Sequence, residues 1–206
     1  MDFPIVRILK SGIKYEVDYM HPQEEEAVRA LLNSVIVEGK SYPQKQPLSQ
    51  AEFSSYWLSK DAFVVRASAV DSTQKPKDIL GAFYLKPNFP GRCSHICNAG
   101  FIVQARLRGQ GIGRFMGESM LKIAASLGYE AVMFNLVFET NIASIRLWQS
   151  LGFEIIGRIP GAAKLENQQV VDALMLYRSL DLLTVDGHQS SVNTQQSSGR
   201  RTDVVS

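Results

Sequence analysis

The sequence predicts a single α/β domain, built on a mixed and mostly antiparallel sheet with helices on its faces. Three observations predict this fold class. Apolar residues alternate over 13–19, as they do in a half-buried strand. Three strand-like segments separated by short polar turns lie between residues 63 and 103, which is typical of an antiparallel meander. Helical periodicity then runs over 111–127, and further strand-like segments follow it.

The composition supports a folded domain and excludes several classes of protein. The 206 residues are 45% hydrophobic and 20% charged, which is too apolar for a disordered chain. The formal net charge of +2 gives no basic footprint for nucleic acid. No apolar run approaches the ~20 residues of a membrane span, and no signal-peptide pattern is present. Since there are only two Cys, a reducing, cytoplasmic location is expected, with the nucleus as an alternative.

Residues 184–206 differ in composition from the rest of the chain. They are rich in Gly, Ser, Gln, Asn and Thr, and they contain neither an aromatic residue nor a periodic apolar pattern. We therefore expect one domain over residues 1–183, followed by a disordered polar tail over residues 184–206.

The first half of the domain is predicted to contain helices before the meander. An acidic run at 24–26 favours a helix start, and that helix extends to Gly39. Pro43 and Pro47 mark a loop before a second helix. The predicted elements are a strand at 13–19, the helix to Gly39, a helix at 49–58, and strands at 63–70, 79–85 and 94–103, with turns at 71–78 and 87–91.

The second half is predicted to alternate helices and strands. Gly128 suits the position after the helix at 111–127, where glycine often adopts a left-handed conformation. The remaining elements are a strand at 131–137, a helix at 141–151 and strands at 153–159 and 170–177.

A glycine-rich loop, Arg108-Gly109-Gln110-Gly111-Ile112-Gly113-Arg114, joins the third meander strand to the long helix. Glycines let the backbone approach a ligand closely, and the helix N-terminus adds partial positive charge, so the loop suits a pyrophosphate. The spacing G-x-G-x-G is not the dinucleotide fingerprint, and the Gly-Lys-Ser/Thr ending of a Walker loop is missing. A glycine-rich turn that only connects strand to helix is the alternative.

Two motifs carry a resemblance to a known family. The pattern Arg108-x-x-Gly111-x-Gly113 resembles the pyrophosphate loop of the GNAT superfamily of acetyl-CoA-dependent N-acetyltransferases. The run over 141–153, which contains Asn141, Ser144 and Trp148, resembles the second signature of that superfamily. The resemblance implies a sheet splayed at the acetyl-CoA site and direct acetyl transfer to an amine, with acetyl-CoA as co-substrate.

A closer resemblance covers most of the domain. The segments 39–44, 84–88, 92–101 and 134–138 are similar to the fungal L-azetidine-2-carboxylate acetyltransferases, which N-acetylate toxic proline analogues. This resemblance implies that the acceptor is a small cyclic secondary amino acid, either L-azetidine-2-carboxylate or another proline analogue or catabolite. It also implies a detoxifying role and a homodimer.

The resemblance assigns residues to both substrates. Asn98 and Asn135 would contact the acceptor or the reacting centre, Asn98 by orienting it and stabilising developing charge. A backbone N–H of the splayed strand would polarise the thioester carbonyl. The expected cofactor-binding residues are Phe101, Ile102, Val103, Arg108, Gly109, Gln110, Gly111, Ile112, Gly113, Arg114, Asn141, Ser144 and Trp148.

Each assignment has a structural alternative. Asparagine is depleted in strand interiors, but a buried amide can also bond only to neighbouring backbone. Asn141 can serve as a helix N-cap as well as a cofactor contact. Many members of the superfamily have a tyrosine, able to reprotonate the CoA thiolate, where this chain has Trp148. Because an indole N–H is not a useful acid, Trp148 is interpreted as packing against the cofactor.

The sequence does not identify the general base. His95 and Glu139 are candidates, and a water chain is the alternative. Cys93, His95 and Cys97 resemble a zinc pattern, but in an extended segment the two Cys would lie ~13 Å apart, too far for one zinc ion or a disulfide. We therefore predict no metal and no disulfide.

The segment that contains Glu38, Lys40, Tyr42 and Pro43 would border the acceptor site in this superfamily, or it is a plain connecting loop. Two rival functions remain. One is a different activity of the superfamily, directed at a protein N-terminus or a polyamine, and a polyamine site should be rich in acidic residues. The other is an acyl-CoA-binding protein without turnover.

Overall fold

The computed structural model describes residues 1–9, 12–67 and 78–180. Within these ranges the chain forms eight strands and four α-helices. In order, they are β1 (Ile5–Ile8), β2 (Lys14–Tyr19), α1 (Glu25–Val37), α2 (Gln50–Trp57), β3 (Asp61–Ala67), β4 (Ile79–Pro87), β5 (Ile96–Val103), α3 (Ile112–Ser126), β6 (Ala131–Phe138), α4 (Ile142–Ser150), β7 (Glu154–Lys164) and β8 (Val170–Ser179). None of the helices in the described part of the chain is long and apolar enough to cross a membrane.

The four predicted helices are confirmed. Their ends could be predicted because the signals that begin and end a helix lie within a few residues of it. Ser49 caps α2 by accepting the N–H of Glu52, whose carboxylate in turn accepts the N–H of Ser49. Gly128 follows α3 with a φ of +84°, a conformation that glycine adopts without a steric penalty. The acidic run begins at the end of a short 3-10 turn, Pro22–Glu24, and continues into the first turn of α1, which begins directly after it.

Several strands differ from the prediction, and β7 extends to Lys164, five residues past its predicted end at 159. β1 was not predicted, because it is a four-residue edge strand in which Val6 and Ile8 are 44% and 67% exposed. β5 begins two residues later than predicted, since Gly91–Cys93 form a 3-10 turn that closes the hairpin. Some predictions fall outside the described residues. These are the end, at 68–70, of the strand predicted over 63–70, most of the turn at 71–78, and the polar tail at 184–206.

The strands form one mixed sheet in the order β1-β2-β3-β4-β5-β6-β8-β7. Every neighbouring pair is antiparallel except β5 and β6, which are parallel. Helices α1 and α2 pack on one face, through residues such as Leu32 and Trp57. Helices α3 and α4 pack on the other face, through residues such as Phe115 and Trp148. This arrangement confirms the predicted α/β class.

The parallel pair is joined only at its start. β5 and β6 pair at Ile96 with Ala131 and at Cys97 with Val132, and then they separate. On the other side, β5 stays paired with β4 along its whole length. The sheet is therefore splayed between β5 and β6, as the resemblance implied.

The hydrogen-bond alternation of β5 determines which backbone groups face the gap. The N–H of Asn88 donates to the carbonyl of Ile96 at 2.8 Å, and the N–H of Gln104 donates to the carbonyl of Leu80 at 3.0 Å. Alternate residues between these positions bond to β4, so the backbone groups of Phe101 and Val103 point toward β6. The gap thus presents backbone groups of β5 that β6 does not bond.

A bulge in β6 lies opposite this gap. The pairing of β6 with β8 shifts between Phe134 and Val137, so that Asn135 and Leu136 together lie opposite the single residue Met175 and β6 has one extra residue. Extra residues in one strand bend it and re-aim its side chains. The bulge accounts for an asparagine within an otherwise apolar strand.

Candidate functional site

Two adjoining cavities open at the splayed edge of the sheet. The larger cleft, of about 770 Å³, lies between the glycine loop, the end of β5 and the start of α4. The smaller cavity, of about 270 Å³, lies between β5, β6 and the loop after α1. Five residues line both of them: Ser41, Phe101, Asn141, Ser144 and Trp148. Two molecules bound in these cavities would therefore meet beside Phe101.

The glycine loop forms one wall of the larger cleft. Gly109 and Gly111 have φ values of +76° and +91°, and Gly111 is the N-cap of α3. A residue with a side chain is strained in this conformation. The first N–H groups of α3 have no acceptor within the helix, and its dipole places partial positive charge there. The loop can therefore hold an anionic group such as a pyrophosphate.

Two arginines flank the loop and have acidic partners. Arg108 forms two hydrogen bonds with the carboxylate of Glu38, at 2.7 and 2.8 Å, and so links the loop to the end of α1. Arg114 bonds to Glu118 at 2.9 Å and to the hydroxyl of Ser150 at 3.0 Å. Both arginine side chains are about half exposed, so their charge remains accessible at the mouth of the cleft.

Three of the expected cofactor residues do not direct their side chains into the larger cleft. Ile102 and Ile112 are 2% and 0% exposed and pack in the two hydrophobic cores. The amide of Gln110 donates to the carbonyl of Arg106 at 3.0 Å. Ile102 still lines the cleft, whereas Gln110 and Ile112 do not belong to its lining.

Helix α4 supplies the opposite wall. Asn141 is its N-cap, and its side chain accepts the N–H of Ser144 at 3.3 Å. The indole N–H of Trp148 donates to the hydroxyl of Ser144 at 2.8 Å. The Trp148 ring packs against Phe101 and Phe134, with centroids 4.8 and 4.5 Å apart. Trp148 is therefore a fixed wall of both cavities, and its N–H is already engaged.

The smaller cavity carries no charged side chain among the described residues that line it. Its polar lining consists of Asn98, Asn135 and Asn141, the hydroxyls of Tyr42, Tyr56 and Tyr84, and the serines shared with the larger cleft. Asn98 and Asn135 are both half-buried. The structure thus brings together the two asparagines that the resemblance singled out, on different strands and across the gap.

A third asparagine connects these two. Asn88, which follows β4, accepts hydrogen bonds from the amide of Asn98 at 3.1 Å and from the amide of Asn135 at 2.6 Å. It also donates to the side-chain oxygen of Asn135 at 2.9 Å. Asn98 and Asn135 are therefore held by one intervening amide rather than by neighbouring backbone.

Three tyrosines form the wall of the smaller cavity on the α1 and α2 face. The hydroxyl of Tyr42 donates to the carbonyl of Phe101 at 3.2 Å. The hydroxyls of Tyr56 and Tyr84 lie 3.5 Å apart. Burial, followed by the neighbouring tyrosines, raises the pKa of Tyr42 and of Tyr84 well above the usual range. These two hydroxyls stay protonated at neutral pH and do not act as bases.

A cation lies behind the tyrosine wall. The ammonium nitrogen of Lys86 is 4.9 Å from the centroid of the Tyr56 ring and 4.7 Å from that of the Tyr84 ring. It donates to the backbone carbonyl of Tyr56 at 3.2 Å. Burial lowers the pKa of Lys86. These contacts hold the two aromatic rings in place.

Gly100 makes room for the tyrosine wall. A Cβ atom at this position would lie 2.8 Å from Cζ of Tyr84 and 3.0 Å from the hydroxyl oxygen of Tyr42, and nearer still to Cε1 of Tyr84. Real Cβ atoms are not found so close to a ring. The absence of a side chain at this position therefore lets the Tyr84 ring lie directly over β5.

We expect the substitution Gly100→Ala to displace Tyr84 and reshape the smaller cavity. The resemblance implies that the acceptor binds in this region, so the KM for the acceptor should rise about tenfold, and overpacking should lower the free energy of unfolding by about 1–3 kcal/mol. The KM for acetyl-CoA should change little. Steady-state kinetics and thermal unfolding measure these effects. Gly157→Ala is a suitable control, because its new methyl meets only the flexible Met175 side chain, outside both cavities. Equal effects of the two substitutions on the KM for the acceptor would contradict the expectation.

Neither candidate general base reaches the smaller cavity. His95 is exposed and does not line it. The carboxylate of Glu139 accepts two hydrogen bonds from Arg158, at 2.7 and 3.1 Å, and also lies outside the lining. The acceptor's ammonium group would therefore lose its proton to water, or the acceptor would bind as the free amine already present in solution.

The two cysteines are free thiols. Cys93 is exposed in the hairpin turn, and burial raises the pKa of Cys97 to about 12. Within the described ranges, no group of three or more metal-ligating side chains lies together.

The segment after α1 divides between the two cavities. Tyr42 and Pro43 line the smaller cavity, whereas Glu38 and Lys40 line the larger cleft. Sequence reasoning did not single out Asn88, Tyr56 or Tyr84. The hairpin register could have revealed Asn88, because Lys86 pairs with Asn98, which places Asn88 close to it. The contact of Tyr84 with Gly100 also follows from that register.

Comparison with known proteins agrees with this geometry. Residues 32–153 match the sequence model of the acetyltransferase (GNAT) family. N-acetyltransferase aca1 of Schizosaccharomyces pombe is 39% identical over 154 residues, which cover 69% of this chain and 73% of that protein. A GCN5-related N-acetyltransferase structure from Kribbella flavida matches with a TM-score of 0.73 and 28% identity, over 80% of this chain and 97% of that one.

A second solved structure shares the fold at lower identity. A phosphinothricin acetyltransferase from Sinorhizobium meliloti, determined in complex with acetyl-CoA, matches with a TM-score of 0.69 and 16% identity. The match covers 80% of this chain and 88% of that one.

Proposed function

The chain belongs to the acetyltransferase (GNAT) family and is an acetyl-CoA-dependent N-acetyltransferase, and from this premise we propose that its acceptor is a small cyclic secondary amino acid. L-azetidine-2-carboxylate, or another proline analogue or catabolite, is the preferred candidate. The larger cleft would hold acetyl-CoA, and the smaller cavity would hold the acceptor.

One observation carries the choice of acceptor: the smaller cavity is both small and uncharged. Its 270 Å³ lies just below the range of pockets for drug-sized ligands. The described lining offers only amides, hydroxyls, backbone groups and apolar surface. An amino acid carries one positive and one negative group in solution, so it needs fewer charged partners from the protein than a polycation does. Amide and hydroxyl groups can bond to both of its ends.

The chain offers suitable groups for acetyl-CoA. The first N–H groups of α3 and the left-handed glycines before it suit the pyrophosphate. Arg108 and Arg114 lie beside this position, and the edge of β5 that β6 leaves without a partner strand can bond to an extended chain such as pantetheine, although the carbonyls of Phe101 and Val103 already accept from Tyr42 and Arg108. The fold neighbour from S. meliloti, determined in complex with acetyl-CoA, supports the choice of this co-substrate.

The proposed reaction is direct acetyl transfer within a ternary complex. The free amine attacks the thioester carbonyl carbon, a C–N bond forms, the C–S bond breaks, and CoA leaves as the thiolate. The ammonium proton passes to water, because neither His95 nor Glu139 lines the cavity. The N–H of Phe101, directed into the gap, would stabilise the oxyanion, and Asn98 would orient the acceptor.

The rival acceptors fit the smaller cavity less well. A polyamine carries several positive charges and needs acidic partners, which the described lining does not provide. A protein N-terminus would extend beyond a cavity of this size. A protein that binds acyl-CoA without turnover would not need a second cavity lined by ordered amides. The detoxifying role, the homodimer and the cytoplasmic location stay predictions.

A panel of acceptors tests the proposal. CoA release from acetyl-CoA is followed through its free thiol, with L-azetidine-2-carboxylate, proline, spermidine and a peptide with a free N-terminus. We expect release with the cyclic amino acids only. Release with spermidine or the peptide alone would overturn the acceptor assignment. Acetyl-CoA binding without release for any amine would favour the protein without turnover.

A further inference from the structure

The side-chain amides of Asn88, Asn98 and Asn135 form a hydrogen-bonded cluster. Asn88 is its centre, since all three side-chain hydrogen bonds of the cluster involve it. Asn98 and Asn135 do not bond to each other. Removing Asn88 would therefore leave each of the other two amides without its partner in this cluster.

The backbone of Asn88 is held by its neighbours in the hairpin, and the residue lies outside both cavities. It does not belong to the lining of the smaller cavity, whereas Asn98 and Asn135 do. Its backbone N–H donates to the carbonyl of Ile96 at 2.8 Å, and Pro87 precedes it. Its backbone is thus held at the closing end of the β4–β5 hairpin, and only its amide extends toward the site.

The hydrogen bonds made by Asn88 determine what the other two amides can still do. A primary amide has two N–H donors and one oxygen with two acceptor positions. Asn98 uses one N–H to donate to Asn88, and Asn135 uses one N–H and one acceptor position in its two bonds with Asn88. Among the described residues the oxygen of Asn98 has no hydrogen-bond partner. Asn98 therefore keeps one N–H and its whole oxygen, and Asn135 keeps one N–H and one acceptor position.

We infer that Asn88 is a positioning residue that orients Asn98 and Asn135 toward an acceptor carrying both an amine and a carboxylate. This inference rests on the proposed function, because it takes the smaller cavity as the acceptor site. The N–H groups left on Asn98 and Asn135 suit a carboxylate. The oxygen of Asn98 suits an N–H of the amine and so directs the nitrogen lone pair to the thioester carbon.

Without Asn88 this orientation would be lost. The terminal torsion of an asparagine side chain has a broad, roughly two-fold energy profile, so an unheld amide exchanges its oxygen and nitrogen positions easily. Half of the orientations would place an N–H where the amine needs an acceptor. The protein would still bind acetyl-CoA, since Asn88 does not line the larger cleft.

A double-mutant cycle tests the inference, with L-azetidine-2-carboxylate as the acceptor, or the amine that the panel selects instead. The variants are Asn88→Ala, Asn135→Ala and the combination. We expect each single substitution to lower kcat/KM for the acceptor at least about tenfold, and the combination to cost little more than the larger single effect. The KM for acetyl-CoA should stay unchanged. If the double variant instead loses kcat/KM by the product of the two single effects, Asn88 acts independently of Asn135, and the inference is overturned.

Asn88→Asp separates orientation from packing. Aspartate has the same shape and can still accept from Asn98 and Asn135, but it cannot donate to the oxygen of Asn135. We expect a loss in kcat/KM for the acceptor between those of wild type and Asn88→Ala. Activity equal to wild type would overturn the part of the inference that depends on the N–H that Asn88 donates to Asn135.

Asn33 provides the matched control. Its amide donates to the carbonyl of Leu48 at 3.0 Å and accepts the N–H of Leu48 at 2.7 Å, and it lines neither cavity. Asn33→Ala should lower the unfolding temperature without changing kcat/KM. If Asn98→Ala and Asn135→Ala are as active as wild type, the proposed acceptor site itself is wrong. If they are impaired and Asn88→Ala is not, only the role of Asn88 is wrong.

Discussion

Replacing Asn98 with alanine is expected to lower kcat/KM for the acceptor by about 10²–10³-fold, the effect of removing one preorganised donor from a reacting centre. Asn98 lines the smaller cavity, and its amide is anchored to Asn88 at 3.1 Å. It leaves an N–H and an oxygen for the acceptor. The substitution removes both groups at the point where attack occurs.

The affinity for acetyl-CoA separates this effect from a loss of folding. Asn98 does not line the larger cleft, so the Kd for acetyl-CoA should be unchanged in Asn98→Ala. Calorimetric titration with acetyl-CoA, together with initial rates at varied acceptor, measures both quantities. Asn33→Ala again serves as the control for loss of an asparagine amide. A rate within threefold of wild type would remove Asn98 from the reacting centre.

Replacing Gly111 with valine is expected to weaken acetyl-CoA binding about 100-fold, which is about 2.7 kcal/mol of binding free energy. Gly111 has a φ of +91° and is the N-cap of α3. A β-branched residue is strongly disfavoured in this conformation. The backbone would have to move, and the first N–H groups of α3 would no longer point at the pyrophosphate position.

Gly128→Val is the matched control for this experiment. Gly128 lies after the other end of α3 with a φ of +84°, and a Cβ at this position would have no neighbouring atom within 4 Å. The two substitutions should destabilise the fold to a similar extent, measured by thermal unfolding. Only Gly111→Val should change the Kd for acetyl-CoA. Equal Kd values for the two variants would contradict the role of the loop.

The larger cleft could be predicted from the sequence because its signals are local. Gly111 and Gly113 stand next to a helix start, and Asn141 caps the helix that follows. A left-handed glycine and an N-cap depend on a few neighbouring residues, so their spacing is visible in the chain. The elements α1 to α4 were predicted for the same reason.

The composition of the smaller cavity depends on contacts between distant residues. The Asn88 and Asn135 side chains meet across 47 positions of the chain, and their contact requires the β6 bulge. In the larger cleft, the pairing of Arg108 with Glu38 spans 70 positions and was not predicted for the same reason. No periodicity encodes such contacts, because they depend on strand register and sheet order. Edge strand β1 was not predicted, because it has only four residues and forms a strand through its pairing with β2 rather than through a pattern of its own.

The destination of the acetyl group tests the central claim most directly. Acetyl-CoA with an isotopically labelled acetyl group is incubated with the protein, first alone and then with L-azetidine-2-carboxylate, and the label is located by mass spectrometry. The two joined cavities predict label on the ring nitrogen of the acceptor, and no label on the protein in either incubation. Label on a protein side chain, or label that stays on CoA with this acceptor while another amine receives it, would contradict the claim.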